Sequence, residues 1–191
     1  MTEKNILSWL DVNATHFHTG EDVSAEWYCG EPFLPSEFTL GEISAVVSGP
    51  SGNFEAAIAE EGDIAKVSFS PGDDGFYHLL CRGKYQGKTF SAQRLIAVGH
   101  FHEARSASTP AQGIFKPVYD WQEWHRGEQI DFEMAQPGLE PFLYLQGPEG
   151  VQQKRLSGNP KVNIGLEVPG KYIAAAKNDA LTSTISFWVL K

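Results

Sequence analysis

The chain has 191 residues, room for one large domain or two small ones that each bury a core. Hydrophobic residues make up 41% and charged residues 20%, a balance that excludes an intrinsically disordered chain. Fifteen Lys and Arg stand against 24 Asp and Glu, for a net charge of −9 with no basic cluster. A phosphate backbone would be repelled, so no nucleic-acid partner is expected, and cations or cationic partners suit this surface better. No apolar run is long enough to span a membrane. The start, Met1-Thr2-Glu3-Lys4-Asn5, lacks the apolar stretch of a secretory signal. That leaves two readings, a cytoplasmic protein or an exported one whose signal has been removed.

Taken in order, Trp9 to His18 reads as a first strand, closed by the turn Thr19-Gly20-Glu21-Asp22. Val23, Ala25, Trp27 and Cys29 alternate with polar neighbours, the pattern of a half-buried strand. After a Gly/Pro-rich passage, Ile43 to Val47, Phe54 to Ile58, Ile64 to Phe69, Phe76 to Cys81 and Thr89 to Val98 complete seven short strands. Their spacing of roughly ten residues predicts an antiparallel sandwich. Asp73-Asp74-Gly75-Phe76-Tyr77 resembles the approach to strand F of immunoglobulin-like domains, where a tyrosine bonds back to the main chain.

Glu103 to Gly113 is small and polar and reads as a boundary. The second half then repeats the first. His18-Thr19-Gly20-Glu21 returns as His125-Arg126-Gly127-Glu128, Gly49-Pro50-Ser51-Gly52 as Gly147-Pro148-Glu149-Gly150, and Gly75-Phe76-Tyr77 as Gly170-Lys171-Tyr172. The expected fold is all-β, two tandem immunoglobulin-like antiparallel β-sandwiches. Residues 1–103 form the first domain, 104–112 the linker and 113–191 the second. Cutting the linker should leave two fragments that each keep their β structure.

Four histidines carry the sharpest chemical expectation. His16 and His18 flank Phe17, and His100 and His102 flank Phe101. On a strand, each pair puts two imidazoles on one face. In an immunoglobulin-like sandwich the first and last strands run parallel as neighbours, which brings both pairs to one end. Neutral imidazole suits Ni, Co, Zn or Cu, with Glu21 or Glu103 as candidate oxygen ligands. The competing reading is that all four are exposed strand-end histidines. In the repeat, Glu123-Trp124-His125 replaces His16-Phe17-His18, so the scaffold does not require His16.

The other singled-out residues admit two readings each. Cys29 and Cys81 fall at inward positions of the second and sixth strands, as an inter-sheet disulfide that would favour export or as two buried thiols. His78 is expected on the surface or at an interface. Tyr119, Trp121 and Trp124, close to Asp120 and Glu123, form either an exposed aromatic platform for a sugar or protein or part of the wall between domains. No phosphate loop, Gly-x-Ser-x-Gly or His-Glu-x-x-His occurs, and an enzyme is not expected.

Trp9-Leu10, Gly20-Glu21-Asp22-Val23, Gly30-Glu31-Pro32-Phe33, the Gly-Pro-x-Gly turns and Pro169-Gly170-Lys171-Tyr172-Ile173 resemble a bacterial periplasmic family of tandem β-sandwich proteins associated with nickel or cobalt uptake. The resemblance implies a periplasmic address, a transition-metal ion and a membrane transporter or other protein as partner. Members commonly carry a histidine shortly before the Trp-Leu pair, whereas Asn5-Ile6-Leu7-Ser8 stands there in this chain. The expected function is therefore a non-enzymatic metal-binding protein linked to uptake. The alternative is a structural or adhesive module that recognises a protein or glycan.

Overall fold

The computed structural model describes residues 5–14, 16–99, 115–117, 124–134, 136–157 and 161–191. Their regular structure is entirely β. The first half holds β1 (Leu7–Val12), β2 (His16–Phe17), β3 (Val23–Gly30), β4 (Gly41–Gly49), β5 (Gly52–Glu55), β6 (Ala57–Glu61), β7 (Ile64–Phe69), β8 (Gly75–Tyr85) and β9 (Lys88–Val98). The second holds β10 (Phe115–Pro117), β11 (Trp124–His125), β12 (Gln129–Met134), β13 (Glu140–Gly147), β14 (Gly150–Arg155), β15 (Lys161–Gly165), β16 (Gly170–Lys177) and β17 (Leu181–Leu190).

Two runs expected as single strands each change sheet midway. Trp9 to His18 divides into β1, antiparallel to β3, and β2, parallel to β9. Phe54 to Ile58 divides at Ala56, whose N–H donates to Ala45 O at 3.0 Å, after which the chain crosses to pair with β7. Both breaks depend on which sheet offers the next backbone partners, a non-local matter that alternation cannot show.

One sheet has the order β1-β3-β7-β6, a second β10-β12-β15, and a third holds ten strands. That third sheet runs β14-β13-β16-β17-β9-β8-β4-β5, with β11 beside β17 and β2 beside β9. It crosses from one half of the chain to the other where β17 lies parallel to β9, from Leu181 opposite Thr89 to Ile185 opposite Gln93. Residues 104–112, the expected linker, lie outside the described residues, and the halves are joined by far more than a linker.

Each half nonetheless has its own core. Val23, Ala25, Trp27, Val47, Leu79, Ala92 and Ile96 are among the buried residues of the first, and Ile130, Phe132, Val162, Ile164, Ala174 and Ile185 of the second. Fully burying a Val, Leu, Ile or Phe side chain contributes about 1.5–3 kcal/mol. A third cluster, Leu7, Trp9, Tyr144, Ile173 and Ala175, spans both halves and is built around β1. The free edge of β1 is capped from the other half. Thr184 Oγ1 donates to Ser8 O at 2.5 Å, and Ser186 Oγ to Leu10 O at 2.6 Å. A buried carbonyl left without such a partner would be costly.

The repeat read in the sequence is also a repeat of hydrogen bonds. His18 N–H donates to the Glu21 carboxylate at 2.8 Å and Glu21 N–H returns to His18 O at 3.0 Å. His125 and Glu128 make the same pair at 2.8 and 3.2 Å. Gly20 and Gly127 supply the turn with φ of 87° and 92°, a region that glycine enters without a Cβ penalty. Tyr77 donates its hydroxyl to Asp73 O at 2.8 Å and Tyr172 to Val168 O at 2.6 Å, so both halves carry the tyrosine that bonds back to backbone.

Three expectations need correction. Cys29 and Cys81 are buried in the first core as free thiols, with no disulfide between them. Burial pushes the Cys29 thiol up to about 12 and raises that of Cys81 as well, so both are protonated and act as small apolar side chains. His78 is not on the surface but 1% exposed. Of the two readings for Trp124, the exposed platform fails, because the ring sits in the second core; Tyr119 and Trp121 lie outside the described residues.

Candidate functional site

The expected metal site is described in half. His16 and His18 stand with ring centroids 5.1 Å apart, while Phe17 between them is buried in the first core, as alternation requires. His16 lies opposite Ala97 and Phe17 opposite Val98 in parallel pairing, and Gly99 N–H donates to Phe17 O at 2.8 Å. The expected parallel meeting of the first and last strands is therefore present. His100 and His102 lie outside the described residues. His18 Nδ1 is 3.4 Å from Glu21 Oε2, and the backbone N–H of His18 holds the Glu21 carboxyl below its ordinary range. The second half makes the same backbone contact, so the turn accounts for the position of Glu21 without any ion. Among the described residues, no group of three or more His, Cys, Asp or Glu is placed to hold a metal ion.

His78 occupies a different setting. On β8 it alternates with Tyr77 and Leu79, which enter the first core, and so projects from the other face of the ten-stranded sheet. Its Nε2 meets Gln93 Oε1 at 3.0 Å, and Gln93 Nε2 donates to Ser183 Oγ at 3.3 Å across the seam between β9 and β17. Nδ1 has no hydrogen-bond partner among the described residues. Burial lowers the imidazole to about 4, so the neutral ring donates through Nε2.

One feature that combines aromatic walls with charge is a cleft of about 430 Å³ where the halves meet. The first half contributes Trp9 and Asp11 from one face of β1, Tyr28 from β3 and the turn carrying Phe33, Leu34 and Pro35. Trp9 lies opposite Tyr28 in the β1–β3 register, and the rings stack at 5.4 Å and 10°. Tyr28 donates its hydroxyl to the Glu26 carboxylate; burial first, and this acceptor second, raise the phenol's pKa. Phe33 holds φ of 63°, a strained conformation for an aromatic residue, fixed by a turn in which Leu34 N–H donates to Glu31 O at 3.1 Å.

From the second half come Gln146, Lys171, Ser186 and Trp188. Lys171 lies opposite Trp188, and its ammonium sits 5.0 Å from that ring's centroid and 2.5 Å from Asp11 Oδ2. Arg94 of β9 completes the lining. It is 5% exposed, and among the described residues nothing makes a hydrogen bond or ion pair with its guanidinium. Burial lowers the group to about 10, with Asp11 acting on it through space in the opposite direction. The charged lining is thus two cations against one carboxylate, in a protein of net charge −9.

Sequence reasoning passed over Arg94, Asp11 and Lys171, although one signal was available. Phe90, Ala92, Arg94, Ile96 and Val98 occupy one face of β9, and a charge at an inward position of an otherwise apolar face is the pattern that marks a functional residue. Asp11 and Lys171 stand 160 positions apart and carried no local signal.

No protein-family model matches the chain, and no curated protein sequence matches it. Among solved structures, a chimeric titin Z1Z2 carrying a KLER peptide from decorin covers 100% of this chain and 100% of its own, at 12% identity and a TM-score of 0.36. The fibronectin(III)-like modules of Clostridium thermocellum CbhA cover 95% of this chain and 94% of theirs, at 10% identity and a TM-score of 0.32. The Escherichia coli adhesin FdeC covers 96% of this chain and 64% of its own, at 14% identity and a TM-score of 0.33. These likenesses are too distant to carry a ligand, a partner or a location to this chain, and none points to nickel or cobalt uptake.

Proposed function

We propose that the chain is a non-enzymatic recognition module: two immunoglobulin-like sandwiches fused through one sheet, presenting the junction cleft to a group on a protein or glycan. The observation that carries this reading is the cleft itself. Its walls come from both halves, and the pairing of β17 with β9 and the capping of β1 hold those walls in register. Aromatic rings beside a few placed charges are the usual make-up of a recognition site. The strand order β1-β3-β7-β6 facing β5-β4-β8-β9, echoed by β10-β12-β15 facing β14-β13-β16-β17, supports the tandem sandwiches. A periplasmic or cell-surface address belongs to the same proposal. The test is to screen immobilised glycans and short peptides with the chain and with Trp188→Ala. Binding that falls about tenfold or more in the variant supports the cleft; binding that the variant leaves intact refutes it.

A second reading keeps one specific support, the parallel pairing of β2 with β9, which sets His16 opposite Ala97 and Phe17 opposite Val98. Under it, His16, His18, His100 and His102 hold one Ni, Co, Zn or Cu ion. Calorimetric titration should then give one ion per chain and lose it in His16→Ala. No stoichiometric binding removes this reading and leaves the first untouched.

A further inference from the structure

Resting on the cleft as a recognition site, the geometry points to an organic carboxylate as its ligand. The anionic group is taken by Arg94, and the apolar body lies against Trp9, Tyr28 and Trp188.

Arg94 supplies the main argument. Its side chain is 5% exposed and lines the cleft, yet no hydrogen bond or ion pair reaches its guanidinium among the described residues. A guanidinium offers five N–H donors in a planar fork, and burying most of it without a protein partner is unfavourable even where, as here, its nitrogens keep an opening to the cleft. Asp11 does not relieve it, because that carboxylate is engaged by Lys171 at 2.5 Å and acts on Arg94 only through space. The missing partner is therefore an acceptor that arrives from solution.

Charge and size narrow its chemistry. Two cations and one carboxylate leave a single net positive charge in the cleft, which a monoanion neutralises and a dianion such as phosphate over-fills beside Asp11. A carboxylate matches the fork of one arginine in two parallel hydrogen bonds. The volume, about 430 Å³, lies in the range of small-ligand sites. Tyr28, backed by the buried Trp9, and the Trp188 ring provide flat apolar surface for a ring or branched side chain. The same chemistry occurs in a free aromatic or aliphatic acid and in the C-terminus of a peptide.

The test is isothermal titration of the full chain with phenylacetate, phenylacetamide, N-acetylphenylalanine and N-acetylphenylalaninamide. Each acid should bind about tenfold or more tighter than its amide, and Arg94→Met should abolish that preference. The ligand-free Arg94→Met protein should also melt above the parent, because an unpaired buried charge has been removed; an arginine with a structural role would show the reverse. Equal affinity of phenylacetate and N-acetylphenylalanine identifies a free acid, and tighter binding of the latter identifies a peptide terminus; both uphold the carboxylate. Three results overturn it: acids and amides that bind alike, acid binding that survives Arg94→Met, or no binding of either acid at millimolar concentration. If acid and amide bind alike and Trp188→Ala removes both, the cleft stands as a recognition site and only the carboxylate assignment falls.

Discussion

Acid should weaken this fold through His78. In the folded protein the imidazole is lowered to about 4 from an ordinary 6.5, with burial as the first cause and the Gln93 contact opposing it. No charged group contributes. The unfolded chain therefore binds a proton that the folded chain refuses throughout that interval, and stability must fall as pH falls. Well above pH 6.5 the ring is neutral in both states and the effect vanishes. Between 6.5 and about 4 it grows, to about 3 kcal/mol from the usual 1.36 kcal/mol per pKa unit. Acid acts on the rest of the chain as well, so the quantity to measure is a difference. Urea unfolding of the parent and of His78→Leu, followed by tryptophan fluorescence at pH 8, 6.5, 5 and 4, isolates it. The parent should lose about 3 kcal/mol relative to the variant between the two ends of the series. A difference that stays flat, or a His78 ring that titrates near 6.5 by NMR in the folded protein, would refute the reasoning.

Tyr77→Phe and Tyr172→Phe should each cost about 1 kcal/mol by removing a hydroxyl that donates to backbone; no loss in either would show that these bonds do not contribute. Thiol counting on denatured, unreduced protein should find both Cys29 and Cys81 reactive, and a count of zero would restore the disulfide and the argument for export. Because β9 and β17 share a sheet and Leu7 and Trp9 pack against Tyr144 and Ile173, thermal unfolding should be one cooperative transition. Two well-separated transitions, or two folded fragments after a cut in 104–112, would show that the halves are independent after all.

Much of the scaffold was determined by short-range chemistry and could be read in order. Alternating apolar residues set which face of β3 is buried, glycine at Gly20 and Gly127 set the turns, and their spacing exposed the repeat that the hydrogen bonds of His18 and His125 reproduce. Each of these rests on neighbours within a few positions, where periodicity and backbone preference act. The sheet-switching at Ala56, and the change of partner between Val12 and His16, were decided by which distant strand offered unpaired N–H and C=O groups. So was the joining of β17 to β9, which makes a single sheet of what reads as two domains. The fate of His78 turned on the same joining, since Gln93 and Ser183 form the seam beside it. The cleft lies furthest from sequence reasoning. Asp11 meets Lys171 across 160 positions, and Arg94 shows its isolation only once every neighbour is in place, because a missing hydrogen-bond partner is a property of packing in three dimensions.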